Sequence, residues 1–178
     1  EFPLAVKIDS PDIPHKTESG AVRLGVPDLA ATKEAVRDIL ASVQRFKPDA
    51  RIDVVRRAEI AAGAEVIIGV VNDPYFGPVV MFGLGGIFTE LLKDVTYRFA
   101  PFDVETAREM ITETKASALL SGYRGSAPLA VDALADALSR VSLLAADHAG
   151  RIAEIDINPL FVSVDGIVAA DALIVLKN

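Results

Sequence analysis

Apolar and polar residues follow two different periods along the chain, and together these periods predict an α+β protein. Several short stretches are continuously apolar or alternate between apolar and polar residues, which is typical of β-strands. The predicted strands cover residues 2–8, 21–25, 52–57, 65–72, 78–82, 95–99 and 152–158. Other stretches repeat apolar residues every three to four positions, as amphipathic helices do. The predicted helices cover residues 29–46, 104–115 and 131–147.

A run of small residues separates two of the predicted strands. Residues 58–64 are mostly alanine and glycine, and a short flexible connector of this kind is typical of a hinge between lobes. We therefore predict a first lobe over residues 1–58 and a second lobe over residues 59–178. Glu65 opens the strand after the hinge, where a carboxylate beside a cleft can accept hydrogen bonds from ribose hydroxyls. The alternative is a solvent-exposed strand end.

Three glycines follow the strand predicted at residues 78–82. They lie in the sequence Gly83-Leu84-Gly85-Gly86, and glycine after a strand indicates a close approach of the backbone to another group. A phosphate is one candidate for that group, and a tight turn without a ligand is the alternative. Two known phosphate-binding motifs do not fit, because a GxGxxG motif would need glycine in place of Phe88 and no Gly-Lys-Ser/Thr sequence follows.

Two basic side chains near the start of the chain are candidates for a functional role. Lys7 lies in the first predicted strand, with parity opposite to that of Val6 and Ile8. His15 lies in a loop rich in proline, serine, aspartate and glycine, beside Lys16. Neutral imidazole is a nucleophile near physiological pH and can accept a phosphoryl group covalently. The alternatives are an exposed strand lysine and a loop histidine without a role.

A hairpin is predicted at the C-terminal end of the chain. Asp165-Gly166 is a strong signal for a two-residue turn. Counting outward from that turn pairs Val164 with Ile167 and Leu160 with Asp171. The count therefore predicts which acidic and amide side chains share a face of the sheet.

Oxygen-bearing side chains gather on that predicted face. Asp156 and Asn158 alternate with apolar residues, and the count places Asp171 diagonal to Asn158, at roughly 7–8 Å between backbones. Pro159 is expected to add a bulge that can shift the count by one. Two or three oxygen ligands that leave most positions open suit Mg²⁺ when phosphates fill the rest. The alternative is a polar strand face in water.

Composition and charge narrow the function further. The chain has 178 residues, a formal net charge of −7 and no cysteine, so disulfides, thiolate catalysis and thiolate metal sites are excluded. An acidic surface repels polyanions, and nucleic acid is therefore not an expected partner. With neither a leader-like segment nor an apolar run of roughly 20 residues, we expect no membrane association and a cytoplasmic location. Because the chain starts inside a strand without methionine, we expect a fragment of a longer polypeptide.

Four segments taken together resemble the ATP-grasp domain of nucleoside-diphosphate-forming acyl-CoA synthetases, which are relatives of the succinyl-CoA synthetase β subunit. The segments are FPLAVKIDSPDIPHKTESGAV, AEVIIGVVNDPYFGPVVMFGLGGIFTELLKD, GYRG and EIDINPLFVSVDGIVAADA. The resemblance spans essentially the whole chain. It implies an ATP-grasp fold with two lobes around a nucleotide cleft, incomplete at the N-terminus.

The resemblance implies roles for residues that would hold the nucleotide, ATP or ADP. Lys7 matches the strand lysine that holds phosphates, and Gly20 with Ala21 matches the glycine-rich phosphate loop. Glu65 matches the acid that binds ribose. The glycine cluster at residues 83–86 then becomes the inner wall of the second lobe, not the phosphate cradle.

The resemblance also implies a metal site and a catalytic residue. Asn158 and Asp171 match the Mg²⁺ ligands of the Asn-Pro-Leu hairpin, with Asp156 beside them as a supporting or third metal group. His15 matches the histidine that relays a phosphoryl group between the two halves of the acetyl-CoA synthetases of this family.

The implied activity is that of an acid–thiol ligase, acyl-CoA + phosphate + ADP ⇌ acid + CoA + ATP. The acyl substrate and CoA would bind a separate CoA-binding domain or subunit, so we expect this fragment to be inactive alone and the full-length protein to be an oligomer. One alternative is a regulatory, non-catalytic domain of a fused protein acetyltransferase. Another is a scaffold that docks the CoA-binding partner.

The sequence departs from the family pattern in two places. The phosphate loop usually reads Gly-Gly-Val and here reads Gly20-Ala21-Val22. The hinge usually carries a Gln-Glu-Met-like segment that contacts adenine, and residues 57–59 here read Arg-Ala-Glu. The choice between adenine and guanine nucleotides therefore stays open.

Overall fold

The computed structural model describes residues 2–10, 12–13, 20–58, 63–85, 94–122 and 125–177. The chain forms two compact units, Glu1–Ile60 and Ala61–Asn178, which we call unit 1 and unit 2. Residues 59–62, the centre of the predicted hinge, lie outside the described residues. The assignment of residues 1–58 and 59–178 to the two lobes of a nucleotide clasp stays a prediction.

The described strands and helices follow the predicted order closely. The strands are β1 (Leu4–Asp9), β2 (Val22–Val26), β3 (Asp53–Ala58), β4 (Ala64–Asp73), β5 (Gly77–Leu84), β6 (Val95–Phe99), β7 (Ile152–Val162), β8 (Ile167–Ala169) and β9 (Ala172–Leu176). The helices are α1 (Leu29–Phe46), α2 (Val104–Thr112), α3 (Ala116–Leu120) and α4 (Val131–Asp147). None of them, within these described segments, combines the length and the apolar character needed to span a bilayer.

Unit 1 is a three-stranded antiparallel sheet in the order β2-β1-β3, packed against α1. Asp28 begins the helix, because its Oδ1 accepts a hydrogen bond from the Ala31 N–H at 2.8 Å. Val6 and Ile8 of the central strand are buried in the core that this helix covers. Lys7 has the opposite parity, as predicted, and therefore lies on the other face of the central strand.

Unit 2 is a six-stranded sheet in the order β6-β5-β4-β7-β8, with β9 also paired to β7. Val66, Ile68 and Val70 of β4 pack with residues of α2, α3 and α4 in one core. Residues that alternate with them lie on the opposite side, where Glu65 and Val71 are exposed. We call this side of the unit 2 sheet the open face.

The helix predicted over residues 104–115 ends at Thr112, and a second short helix, α3, follows it at Ala116–Leu120. The N–H and the hydroxyl of Thr114 both donate to the carbonyl of Ile111, at 3.3 and 2.8 Å. The backbone N–H of Lys115 donates to Oδ2 of Asp94 at 2.6 Å. These bonds replace the regular helical pattern, since side chains that bond to nearby backbone groups compete with the helix.

The predicted two-residue hairpin turn at Asp165-Gly166 is wrong. The loop has four residues, because the N–H of Ser163 donates to the carbonyl of Gly166 at 2.8 Å. The Asp165 N–H also donates to Oγ of Ser163 at 3.2 Å, a second hydrogen bond within the loop. Gly166 adopts a φ of +147°, which favours glycine.

The strand register is consequently shifted by two residues from the predicted count. Val162, and not Val164, pairs with Ile167. Leu160 pairs with Ala169 and not with Asp171. A shift of two preserves which side chains share a face, because the side-chain period of a strand is two.

A β-bulge occurs at Pro159, as expected, but on the other edge of β7. Along β4, Val66 pairs with Leu160 and Ile68 with Ile157, so two residues of β7 lie opposite one residue of β4. Proline has no N–H to give to the ladder, which explains its place at the bulge.

Candidate functional site

Lys7 stands on the middle strand of unit 1, where its neighbours are Val22 on β2 and Val55 on β3. The residue is half-buried and belongs to the face of β1 that α1 does not cover. This placement suits a lysine that neutralises phosphate charge. The role itself stays a prediction.

Gly20 and Ala21, which were predicted to form the phosphate loop, lie directly before β2. The side chain of Ala21 is buried in the core of unit 1, and its carbonyl accepts a hydrogen bond from the Ile8 N–H at 3.2 Å. Gly20 has a φ of +65°, which glycine adopts without strain. Its carbonyl accepts from Nη1 of Arg23 at 3.1 Å. The change from Gly-Gly to Gly-Ala therefore costs no packing at Ala21.

His15 lies outside the described residues, together with residue 14 and residues 16–19. The residues before and after this segment are described. Ile13 is 2% exposed and belongs to the core of unit 1, and Gly20 is held by Arg23 as above. Ile13 and Gly20, the described residues on either side of this segment, both belong to unit 1.

Glu65 is exposed on the open face of unit 2, next to Phe161 on β7. Its carbonyl accepts a hydrogen bond from the Gly85 N–H at 2.8 Å. Glu65 is the second residue of β4, the strand that follows the predicted hinge. The position fits an acceptor for ribose hydroxyls, and that role stays a prediction.

The close approach predicted for the glycine cluster is made to the protein itself at both described glycines. A Cβ on Gly83 would lie 2.7 Å from the carbonyl oxygen of Asp94 and 2.7 Å from Cγ1 of Val95. A Cβ on Gly85 would lie 3.2 Å from the carbonyl carbon of Glu65. The first interpretation, a phosphate, is therefore not needed to explain these two glycines. Gly86 lies outside the described residues.

The proposed metal ligands lie closer together than the sequence predicted. With Ile157 paired to Ala172, Asn158 lies directly opposite Asp171, and its N–H donates to the Asp171 carbonyl at 3.2 Å. Asn158 is exposed and Asp171 is half-buried. Asp156 precedes Asn158 by two residues and lies opposite Leu173. The three residues therefore occupy neighbouring positions, two on β7 and one directly before β9.

The donor set at this hairpin suits Mg²⁺. Carboxylate and amide oxygens are hard ligands, and Mg²⁺ is usually held by one or two carboxylates plus phosphates and water. Oδ1 of Asp171 accepts a hydrogen bond from the Ala172 N–H at 3.1 Å, which orients the carboxylate. Across the described part of the chain, no group of three or more His, Cys, Asp or Glu residues could hold a metal by itself. The remaining ligands would have to come from phosphate or water.

A shallow depression on the open face was not predicted from the sequence. It has an apolar floor and acidic residues at its rim, and its lining residues include Gly69, Val71, Val79, Met81, Tyr97, Glu154 and Asp156. Tyr97 is 56% exposed, which is high for a large aromatic side chain on a strand. The depression reaches Asp156 and is therefore continuous with the proposed metal hairpin. The sequence did carry one signal for this depression, since β4 and β5 have apolar residues at the alternating positions that face away from the helices.

Comparison of the sequence with known proteins identifies a matching domain family and similar enzymes. The ATP-grasp domain family matches residues 1–176 of the chain. The β subunit of the ADP-forming acetate–CoA ligase I of Pyrococcus furiosus is 45% identical over 176 residues, which are 98% of this chain and 75% of that subunit.

Two solved structures of the dinucleotide-forming acetyl-coenzyme A synthetase 1 of Ca. Korarchaeum cryptofilum are similar to the whole chain. The complex with coenzyme A, Ca-AMPCP and HgCl⁺ has a TM-score of 0.92 and 40% identity, covering 99% of this chain and 77% of that one. The complex with coenzyme A and Mg-AMPPCP has a TM-score of 0.83 and 38% identity, with the same coverage. In that second complex the phosphohistidine segment points towards the nucleotide binding site.

Proposed function

Because the chain belongs to the ATP-grasp family, and within it to the ATP-grasp domains of ADP-forming acyl-CoA ligases, we propose that it binds Mg-nucleotide and transfers a phosphoryl group between ATP and His15. The overall reaction would be acyl-CoA + phosphate + ADP ⇌ acid + CoA + ATP. The observation that carries this proposal is the placement of Asn158 directly opposite Asp171 on one hairpin. That pair offers two oxygen ligands for a nucleotide-bound Mg²⁺.

The transfer step is a displacement at phosphorus. In the direction of phosphohistidine formation, a ring nitrogen of His15 forms the new N–P bond while the bond between the γ-phosphorus and the bridging oxygen of ATP breaks. The electron pair of that bond leaves with ADP. The reverse step regenerates ATP. Catalysis of such a step depends chiefly on positioning and on neutralising charge.

The residues of the chain would divide these tasks. Lys7 would neutralise phosphate charge, and the backbone of Gly20 and Ala21 would bind phosphate oxygens. Glu65 would accept hydrogen bonds from the ribose hydroxyls. Asn158 and Asp171 would hold Mg²⁺, with Asp156 next to them. When bound, the ion supplies positive charge that neutralises the phosphates.

We further propose that the acyl and CoA chemistry belongs to a partner domain or subunit. The relative from P. furiosus is called a β subunit, and the complexes from Ca. Korarchaeum cryptofilum contain coenzyme A. His15 would then carry phosphate between that partner and the nucleotide. The acyl substrate would be selected by the partner.

The direct experiment uses the full-length enzyme with its CoA-binding partner and ATP radiolabelled in the γ-phosphate. We expect a protein-bound label that survives base and is lost in acid, as a phosphohistidine behaves. His15→Asn should abolish the label and leave Mg-ATP binding intact. The matched control is His148→Asn, since the chain has two histidines and His148 follows α4. Labelling that persists in His15→Asn, or that is lost in His148→Asn instead, would refute the proposal.

A further inference from the structure

The chain just before His15 is held by Asp12, whose contacts reach two distant parts of unit 1. Oδ2 of Asp12 accepts a hydrogen bond from the backbone N–H of Arg51 at 2.9 Å. Nε of Arg51 lies 3.7 Å from the same oxygen, and Nζ of Lys47 lies 4.0 Å from Oδ1. Asp12 therefore ties the segment after β1 to the end of α1 and to the connection into β3.

The backbone of Asp12 is held as well as its carboxylate. Its N–H donates to Oγ of Ser10 at 3.1 Å, and its carbonyl oxygen accepts from Nζ of Lys47 at 3.2 Å. The peptide groups on both sides of Asp12 thus have defined orientations. Ile13 follows with its side chain buried in the core of unit 1. The last two described residues before His15 therefore have fixed positions in unit 1.

These contacts orient the chain at Asp12 but add little to the free energy of folding. The side chain of Asp12 is 29% exposed, and exposed ion pairs contribute little to the free energy of folding. A hydrogen bond from an N–H to an ionised carboxylate is nevertheless short and directional. That bond from Arg51 lowers the pKa of Asp12, burial opposes it, and the charges of Lys47 and Arg51 act with it. Asp12 is therefore ionised at neutral pH.

We propose that Asp12 is a positioning residue for the phosphoryl transfer, because it fixes the part of unit 1 that ends two residues before His15. This inference rests on the proposed role of His15. Consecutive Cα atoms are about 3.8 Å apart, so the Cα atom of His15 stays within about 7.6 Å of that of Ile13. A displacement of Asp12 and Ile13 therefore shifts the region that His15 can reach. A misplacement of about 1 Å at a reacting group can slow a reaction roughly a hundredfold.

The experiment measures the rate constant of phosphohistidine formation by rapid quench, on the full-length enzyme mixed with Mg-ATP. Asp12→Ala removes both the hydrogen bond to Arg51 and the charge. Asp12→Asn keeps an oxygen that can accept from the Arg51 N–H and removes the charge alone, which also protects the test against a misfolded alanine variant. Asp49→Asn is the matched control, since Asp49 is an exposed aspartate in the same connection between α1 and β3.

We expect Asp12→Ala to slow phosphohistidine formation on the order of ten- to a hundredfold, with an unchanged dissociation constant for Mg-ATP. Asp12→Asn should lie between Asp12→Ala and the unmodified enzyme, and Asp49→Asn should match the unmodified enzyme. Unmodified rates in both Asp12 variants, or a loss of rate that parallels a loss of nucleotide affinity, would overturn the positioning role. Absence of a His15-dependent label in the unmodified enzyme would overturn the proposed function as well, so the two failures are distinguishable.

Discussion

Asn158 and Asp171 face each other across the pairing of β7 and β9, joined by a 3.2 Å hydrogen bond from the Asn158 N–H to the Asp171 carbonyl. The bond uses backbone groups, so neither side-chain oxygen is consumed by it. Direct opposition brings Cβ atoms to about 4.5–5.5 Å, whereas diagonal neighbours are roughly 7–8 Å apart. The hairpin thus brings an amide and a carboxylate together more closely than the predicted register would have done.

Asp171→Asn should weaken Mg-dependent nucleotide binding by about tenfold or more, since substitutions around a metal site typically reduce affinity ten- to a hundredfold. The amide oxygen of asparagine can still accept the hydrogen bond from the Ala172 N–H, so the variant removes charge with little change of structure. Calorimetric titration of the full-length enzyme with ATP, with Mg²⁺ and with a chelator, measures the effect. Asp165→Asn, in the loop of the same hairpin, is the control. Equal Mg-ATP affinity in both variants would contradict the metal assignment.

Lys7→Gln should lower the affinity for ATP by roughly ten- to a hundredfold, because a hydrogen bond that involves a charged group contributes about 1.5–3 kcal/mol. The loss should be smaller for AMP, which carries fewer phosphates. Fluorescence or calorimetric titration with both nucleotides provides the comparison. Lys33→Gln changes an exposed lysine of α1 and should leave both affinities unchanged. The same loss for AMP as for ATP would argue against a role at the terminal phosphates.

Gly83→Ala should reduce the free energy of unfolding by roughly 1–3 kcal/mol, as overpacking of a close contact does. The added methyl group would meet the Asp94 carbonyl and Val95 at 2.7 Å. Gly150→Ala is the control, because a Cβ there has no neighbour within 4 Å. Denaturant unfolding measures the stability, and nucleotide titration of the folded variant completes the test. A stable Gly83→Ala variant that had lost nucleotide affinity would restore the phosphate interpretation of this glycine.

Asp103 should stabilise α2 in a pH-dependent way. Its Oδ1 accepts a hydrogen bond from the Thr106 N–H at 2.9 Å, and the bonds from that N–H and from the Thr106 side chain lower the pKa of Asp103 below its ordinary value of 3.8. A carboxylate whose pKa is lower in the folded state adds stability above the unfolded pKa. This contribution is lost as the pH falls through the folded pKa.

Asp103→Asn mimics the protonated residue at every pH, because asparagine also serves as an N-cap. The melting temperature of the unmodified protein should therefore exceed that of the variant above about pH 4. The difference should disappear as the pH falls further, which thermal unfolding between mildly acidic and strongly acidic buffers can follow. A difference that grew towards low pH would contradict the assigned direction of the pKa shift.

Local signals predicted most of the secondary structure. The Asp28 cap and the apolar repeat located α1, and the long amphipathic pattern located α4, because capping and periodicity act within a few residues. Strand β6 agrees in both of its bounds. The ATP-grasp family was also recognised from sequence, since its four motifs occur in order.

Contacts between distant residues were beyond these signals. Asp12 and Arg51 are 39 positions apart, and no local pattern links them. The partner of Gly83 is the carbonyl of Asp94, directly before the next strand, while the sequence indicated only a close approach of the backbone to another group. In the C-terminal hairpin, the Ser163 hydroxyl and the Gly166 carbonyl accept hydrogen bonds that stabilise a four-residue loop instead of the common two-residue turn.

The sequence by itself determined the residue types, their faces and their order. A lysine lies on a central strand, a histidine follows that strand in the sequence, and oxygen-bearing side chains share one face of a hairpin. These follow from the period of two along a strand, which a register shift of two residues leaves unchanged. The tertiary structure alone decided that Asn158 is opposite Asp171 and that Asp12 is bound to the end of α1. Both depend on hydrogen bonds between residues that only folding brings together.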